Sequence, residues 1–362
     1  MSGYYGPPSS SSAAPAVVSA TPATKQNDYA PSGYSTSAAN QILAISPSAS
    51  LGITGLSALT TNGGVVTILN ASTDYLLWLE HESASSSAAN RFTLPTGFPA
   101  FLLPGDRMEV TYNTSASRFQ VSSWPNKGMA MGLEVFDDFT SYTGASGSGA
   151  PAGIFTIGAG SSGASTGQGT NGVDTTEKAR GIVQLLTGTA TTGFAGIGPM
   201  TQQSMNMMVP AQGCGLVVGR LLRVTAVSGT ETYTLRCGFL DHGSLDPTDG
   251  VVWELRWNGS AEEWSQTRFA GGVATRSNTG SPAVDGTYLW TIVFLNANWT
   301  RADFIYSTDS SAFTVASSPT TGLPNNTQLT SIGLMLIKSA GTTSRTAAVD
   351  LFGWRYDSGA RG

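Results

Sequence analysis

Hydrophobic and polar residues alternate in short runs along most of the chain after residue 40. In residues 108–112, Met108, Val110 and Tyr112 alternate with polar residues, which places the apolar side chains on one face of a strand. No segment of residues 41–122 keeps the 3.6-residue spacing of an amphipathic helix for more than about one turn. The pattern therefore predicts an all-β protein.

Gly, Asn, Asp and Pro residues separate the apolar runs and mark the turns between strands. Asn62-Gly63-Gly64 and Pro104-Gly105-Asp106 are two such turns, and Ser228-Gly229 and Asn258-Gly259 each predict a hairpin. The predicted strands and apolar runs span residues 42–45, 65–69, 75–79, 108–112, 118–121, 134–139, 154–157, 182–186, 219–227, 231–240, 251–257, 261–269, 288–295, 303–306, 332–337 and 346–356.

Shifts in composition divide the chain into four parts. Residues 1–40 are rich in Ser, Ala and Pro and too poor in apolar side chains to bury a core, so we predict an extended, low-complexity N-terminal arm. Residues 41–122 predict a small β-barrel or β-sandwich domain, and residues 123–133 a linker. Residues 134–362 carry many short strands spaced by turns, which predicts a larger β-sandwich of the jelly-roll type.

The turn at Asn258-Gly259 allows a strand register to be predicted. A two-residue loop there pairs Trp257 with Ser260 and Trp253 with Trp264. Trp253 and Trp264 would then be direct cross-strand neighbours, a pair worth about 0.2–1 kcal/mol.

Charged residues make up only 11 % of the chain, against about 25 % in an average soluble protein. A surface so poor in charge suits packing against copies or neighbouring proteins rather than electrostatic steering. The formal net charge is −5 and no basic run is present, so nucleic acid is not an expected partner. The chain starts without the basic and apolar regions of a signal peptide, and no run approaches 18 apolar residues, so we expect no membrane insertion.

The arm contains Tyr4, Tyr5, Tyr29 and Tyr34. Tyrosine offers a large contact area with few rotatable bonds, so it anchors a segment well once that segment is immobilised. We therefore predict that these tyrosines anchor the arm on a neighbouring subunit of an assembly. A flexible tail is the alternative interpretation.

Catalytic chemistry has little support in the histidines, of which the chain has two. His81 lies between two glutamates, but no second histidine follows four residues later, as a zinc-protease motif requires. His242 has Asp241 and Ser244 nearby, but no Gly-x-Ser-x-Gly turn leading into a helix accompanies them. We predict no catalytic residue.

A jelly-roll glycosidase needs two carboxylates on one strand face. Residues 253–257 offer only Glu254, and Glu262 and Glu263 are adjacent, so they point to opposite faces. The predicted hairpin register places Glu254 beside Glu263. A carbohydrate-binding or carbohydrate-active jelly-roll protein remains the rival interpretation.

Metal ions and cofactors are also not expected. Asp241, Asp246 and Asp249 lie in one loop and offer the oxygen ligands that Ca²⁺ prefers, but their spacing matches no calcium-loop motif. We predict no metal site and no cofactor. Cys214 and Cys237 are interpreted as reduced thiols, and whether they pair stays open.

Tryptophans can stack on sugar rings, and Trp257, Trp264 and Trp299 are the candidates for contact with a glycan. Packing in the core is the favoured interpretation for all three, because a sandwich of this size needs several large side chains inside.

Several segments occur in an order that resembles a small β module of fibre and other accessory virion proteins of tailed bacteriophages. They are GGVVTILN at 63–70, LWLEHESA at 77–84, SAANRFTLP at 87–95, LPGD at 103–106 and SRFQV at 117–121. The segments DGVVWE at 249–254, LWTIV at 289–293 and TAAVDL at 346–351 are more loosely similar to the concanavalin-like sandwiches that follow such modules.

The resemblance implies a non-enzymatic virion protein, of the fibre, spike or capsid-decoration type, that is assembled in the host cytoplasm. Such proteins are usually symmetric, so we expect a homo-oligomer, with a trimer first. The other expected partners are further virion proteins and a glycan of the host surface.

Overall fold

The computed structural model describes residues 15–95, 97–126, 132–137, 156–160, 165–168, 182–198, 213–241, 246–284, 286–324 and 331–357. These residues form two compact units. The first takes the described residues up to Ala49, together with Ile53–Ser72 and Leu77–Asn126. The second takes Ser50–Gly52, Thr73–Leu76 and the described residues after Asn126.

The first part of the chain is built from short strands and one 3₁₀ turn at Ala88–Asn90. The strands are β1 (Ala16–Ala20), β2 (Asn40–Ile45), β3 (Leu51–Ile53), β4 (Val65–Asn70), β5 (Leu77–Leu79), β6 (Phe92–Thr93), β7 (Ala100–Leu102), β8 (Arg107–Asn113) and β9 (Arg118–Asn126). One sheet has the order β1-β2-β4-β8-β9-β6, and a smaller one has the order β3-β5-β7.

The strands β1, β2 and β4 form a short parallel coil. Ala16 pairs with Gln41, and Gln41 with Val66, so each turn of the coil takes 25 residues. Parallel neighbours need a long connection between them. The connection from β2 to β4 contains β3, and isolated parallel bridges pair Gln26 with Ile53 and Tyr29 with Leu56. β8 pairs antiparallel with β4 and ends the coil.

Residues 15–40, which the sequence predicts as part of an extended arm, contribute to this coil. β1 is its first strand, and the backbone N–H of Tyr29 donates to the Gly55 carbonyl at 2.8 Å. Val18 is buried and packs near Gly33. The sequence did not predict β1, because Val17 and Val18 are the only β-branched apolar residues in this Ser- and Pro-rich segment.

The second unit contains fifteen strands among its described residues. They are β10 (Gly132–Asp137), β11 (Thr156–Gly160), β12 (Ser165–Gln168), β13 (Val183–Leu186), β14 (Gly193–Gly198), β15 (Cys214–Arg223), β16 (Tyr233–Leu240), β17 (Gly250–Trp257), β18 (Glu262–Ala270), β19 (Val273–Ser277), β20 (Leu289–Leu295), β21 (Ala302–Ser307), β22 (Thr314–Ser317), β23 (Ser331–Lys338) and β24 (Thr346–Asp357).

Two sheets face each other in this unit and make an all-β sandwich of the jelly-roll type. One has the order β12-β13-β24-β15-β20-β21-β22, with β10 also paired to β24, and the other has the order β11-β14-β23-β16-β17-β18-β19. Their inner faces share one apolar core that includes Trp253, Phe304 and Trp354. The sheets approach so closely that a Cβ at Gly219 would lie 2.7 Å from the Cys237 sulfur.

The predicted hairpin at Ser228-Gly229 is wrong. β15 pairs with β20 and β24, whereas β16 pairs with β17 and β23, so the two strands lie in different sheets. Each has apolar residues on its inner face, for example Val217 on β15 and Leu235 on β16. The strands therefore pack face to face, and the connection between them crosses from one sheet to the other.

The hairpin at Asn258-Gly259 exists, but its predicted register is wrong by two residues. Trp257 pairs with Glu262, and Trp253 pairs with Gln266 rather than with Trp264. The loop has four residues because the Asn258 side-chain oxygen accepts the backbone N–H groups of Ser260 and Ala261, at 2.9 and 2.8 Å. A shift by two residues leaves each side chain on its predicted face.

Candidate functional site

The three candidate tryptophans lie in different surroundings. Trp264 and Trp299 are 5 % and 2 % exposed and belong to the core of the sandwich, so neither ring faces solvent. Trp257 is half-buried, and its ring packs against the core near Gly229. Of the three, only Trp257 presents part of its ring where a ligand can reach it.

The candidate carboxylate Glu254 lies on the outer face of the seven-stranded sheet. Its neighbours Trp253 and Leu255 enter the core, so alternation along β17 turns Glu254 away from the second sheet. The side chain is nevertheless fully buried.

Three arginines surround this carboxylate. Arg236 Nε donates to Glu254 Oε2 and Arg276 Nε donates to Oε1, both at 2.7 Å. Arg256 Nε lies 3.5 Å from Oε1, and the Thr267 hydroxyl donates to the same oxygen at 3.3 Å. Bonds of this kind are charge-assisted, and such bonds are shorter and stronger than those between neutral groups.

Two of the three arginines also pair with further carboxylates. Arg236 also pairs with Asp246, and Arg256 Nη2 donates to Glu263 Oε1 at 2.8 Å. The guanidinium carbons of Arg236 and Arg276 lie 5.3 and 5.8 Å from the ring centre of Phe269. This balance of charges is typical of a structural ion network.

The network differs from the predicted arrangement. Glu263 pairs directly with Arg256, and the partner of Glu254 across the ladder is Ser265. Arg236 and Arg276 did not emerge from the sequence because they lie 18 and 22 residues away from Glu254 along the chain. The sequence did contain one signal for the network: Arg236 is a charged residue inside the largely apolar run of β16, and a buried charge needs a partner.

The structure describes two of the four candidate anchor tyrosines. Tyr4 and Tyr5 lie outside the described residues. The Tyr34 hydroxyl donates to the Ser57 carbonyl at 2.8 Å, and burial raises the pKa of this phenol. Burial also raises the pKa of Tyr29. In this chain Tyr29 and Tyr34 therefore hold residues 15–40 on the coil.

The strand β1 has a free edge. The Ala20 carbonyl accepts the N–H of Ser46, so Ala16, Val18 and Ala20 direct their backbone groups toward β2. The N–H and C=O groups of Val17 and Ser19 consequently point the other way, and no described strand other than β2 pairs with β1. The Val17 side chain is 63 % exposed, and β1 contains no charged residue.

The remaining candidates are the two histidines, Ser244 and the two cysteines. His81 Nδ1 accepts the N–H of Leu94 at 3.0 Å, which ties β5 to the segment after β6. His242 and Ser244 lie outside the described residues. Cys214 and Cys237 are both buried, and burial raises the pKa of the Cys237 thiol to about 12.

The described residues lack two further features. They contain no group of three or more His, Cys, Asp or Glu side chains arranged to hold a metal ion. They also contain no helix with the length and apolar character needed to cross a membrane.

No protein-family model matches this sequence, and no curated protein matches it. Several solved structures are similar in fold. A protein of unknown function from Shewanella oneidensis MR-1 is 10 % identical with a TM-score of 0.46, over 64 % of this chain and 89 % of that one. Peanut lectin with a nine-residue peptide is 9 % identical with a TM-score of 0.38, over 63 % and 98 %.

The conserved carbohydrate esterase of the Shiga toxin-encoding bacteriophage phi24B is 9 % identical with a TM-score of 0.37, over 56 % of this chain and 90 % of that one. With TM-scores below 0.5, these likenesses carry no inference about what this chain binds or does.

Proposed function

We propose that this chain is a structural protein of a tailed-bacteriophage virion, of the fibre, spike or capsid-decoration type. It acts by assembly and surface adhesion and has no catalytic role. The free edge of β1 is the observation that carries the proposal, and the resemblance of residues 63–121 to a phage module supports it.

An open strand edge is a template for another strand, so proteins that stay single usually protect such edges with charges, proline or bulges. β1 has none of these within its span, and Val17 adds an exposed apolar side chain. Its outward backbone groups on Val17 and Ser19 fit the addition of an extended strand from a neighbouring virion subunit. Residues 1–14, with Tyr4 and Tyr5, lead directly into this edge and would lie on the same neighbour.

Two exposed valines on edge strands provide a matched test. Val17 is 63 % exposed on β1, and Val273 is 67 % exposed on β19, which among the described strands pairs with β18 alone. We expect Val17→Lys to reduce incorporation of the protein into purified particles at least tenfold, and Val273→Lys to leave incorporation unchanged. Ser19→Pro, which removes an edge N–H that β2 does not use, should act like Val17→Lys.

Normal incorporation of both β1 variants, with folding unchanged by circular dichroism, would contradict assembly through this edge. In that case the protein would attach to the particle through another surface of the chain.

We further propose that the chain forms a homo-oligomer, with a trimer as the first expectation, inside the virion. Light scattering of the purified protein tests this point. A single species at the monomer mass of 37.4 kDa at micromolar concentration would contradict it.

Carbohydrate binding is the second candidate function, and the incomplete burial of Trp257 is the observation that favours it. A glycan that stacks on this ring should lose affinity in Trp257→Ala but keep it in Trp257→Phe. Binding to a glycan array that is equal in the wild type and Trp257→Ala would exclude this site. Glycan hydrolysis that is lost in Glu254→Gln, with the fold intact, would overturn the non-catalytic proposal.

A further inference from the structure

Two aspartates face each other where β16 ends and β17 begins. Leu240 and Gly250 form the last pair of this ladder, and the Asp241 N–H donates to the Asp249 carbonyl at 3.1 Å. Asp241 and Asp249 therefore occupy the next directly opposed positions. Side chains at such positions have Cβ atoms about 4.5–5.5 Å apart, and like charges placed there repel each other.

Asp249 is 2 % exposed, and its carboxylate is only half satisfied. Oδ1 accepts the N–H of Gly271 at 3.2 Å, in the turn between β18 and β19. Oδ2 is buried and has no hydrogen-bond partner among the residues that the structure describes. A buried carboxylate oxygen without a partner is costly, and a native fold normally supplies a proton, a water molecule or a cation.

The surroundings hold both carboxylates in place. The Gly272 N–H donates to the Thr248 carbonyl at 2.7 Å, which fixes the β18–β19 turn against this loop. The Thr248 N–H donates to Asp241 Oδ1 at 2.9 Å. In the described part of the chain, neither Asp241 nor Asp249 forms an ion pair with a basic side chain.

We propose that Asp241 and Asp249 bind a Ca²⁺ ion at this end of the sandwich. The two proposed ligands are Asp249 Oδ2, which is buried, and the carboxylate of Asp241, a partly buried residue. A divalent cation there neutralises two opposed negative charges, which a water molecule does not do.

Ca²⁺ fits this arrangement better than Mg²⁺. It accepts six to eight oxygen ligands in flexible geometry and completes its shell with backbone carbonyls and water, whereas Mg²⁺ requires a near-ideal octahedron. Two protein carboxylates place the affinity in the weak class, with Kd about 10⁻⁴–10⁻³ M. Asp246 is a poor further ligand because its carboxylate already pairs with Arg236.

The test is calorimetric titration of Ca²⁺ into the full-length, chelator-treated protein, together with its thermal midpoint with and without about 10 mM Ca²⁺, tenfold above the weakest expected Kd. We expect a binding heat and a thermal midpoint that rises with Ca²⁺ concentration. Asp249→Asn should fold, because it keeps an acceptor for Gly271 and removes the repulsion, but it should lose both responses. Asp241→Asn should weaken binding at least tenfold.

The control is Asp309→Asn, in the loop after β21, where Asp309 Oδ1 accepts the N–H groups of Ser311 and Ala312, both at 2.9 Å. This variant should keep the full Ca²⁺ response. Absence of any response in the wild type, or an equal response in the wild type and in both site variants, would overturn the proposal. A response to Mg²⁺ as strong as that to Ca²⁺ would also contradict it.

Discussion

The indole N–H of Trp253 donates across the sandwich to the carbonyl oxygen of Ile292, at 3.0 Å. The same N–H lies 3.2 Å from the Ile305 carbonyl, so one side chain of β17 bridges to both β20 and β21 in the opposite sheet. Its ring also packs edge-on against Phe304, with centres 5.6 Å apart. A tryptophan at this position fixes how the two sheets lie against each other.

We expect Trp253→Phe to lower the free energy of unfolding by about 1–3 kcal/mol, because it removes a buried hydrogen bond and leaves a small cavity. Urea unfolding followed by far-UV circular dichroism measures the change. Trp257→Phe, at a half-buried position, is the control and should cost less than about 1 kcal/mol. Equal losses in the two variants would show that the cross-sheet bond contributes nothing.

Glu254→Gln should destabilise the sandwich by about 3–5 kcal/mol, because it leaves buried guanidinium charge without its partner. Glu263→Gln is the control: its side chain is 16 % exposed and pairs with Arg256, which is 26 % exposed, so the cost should be about 1 kcal/mol or less. Chemical denaturation of both variants tests the difference. A cost for Glu254→Gln as small as that of the control would contradict the proposed ion network.

Glu231 should make folding stability sensitive to acid. A hydrogen bond from Arg345, with further bonds from Thr343 and Thr342, lowers the pKa of this carboxyl to about 2. A lowered folded-state pKa means that the contribution is complete above the unfolded value, about 4.3, and is lost as the pH falls toward 2. The thermal midpoints of the wild type and Glu231→Gln should therefore differ by a constant amount at neutral pH and converge below about pH 4.5. A difference that does not change with pH would contradict this coupling.

Deletion of residues 2–14 and deletion of residues 2–35 should have different effects. The shorter deletion leaves β1 in place, so the thermal transition should stay unchanged while incorporation into particles falls. The longer deletion removes β1, with Val18 and the Tyr34 hydrogen bond, and exposes the edge of β2. We expect it to make the first unit sensitive to limited proteolysis. Equal resistance of both truncated proteins would show that β1 does not stabilise the coil.

Local patterns predicted the strands well where apolar residues are frequent. The alternation in residues 108–112 became β8, with Met108, Val110 and Tyr112 buried, and the turn at residues 62–64 precedes β4 as expected. β14 was not predicted because Gly193, Gly196 and Gly198 interrupt its apolar pattern. The sequence therefore predicts single strands where side chains mark a face.

The pairing of the strands was harder to predict from the sequence. Turn residues at Ser228-Gly229 suggest a hairpin, but the choice between edge pairing and packing of two faces depends on distant strands. The parallel coil was missed for the same reason, because residue 16 meets residue 41 only through the path of the whole connection. The groups around Glu254 come from β16, β17 and β19, so no local motif indicates them.

The step from Ala16 to Gln41 equals the step from Gln41 to Val66, so the coil is a regular repeat of 25 residues. Each step of 25 residues advances the structure by one strand spacing, about 4.8 Å, and returns every side chain to the same face. An in-frame duplication of one step would therefore lengthen the coil by one layer and preserve the pattern of buried positions. Such a chain can lengthen its coil through gene duplication while β8 still pairs with the last parallel strand.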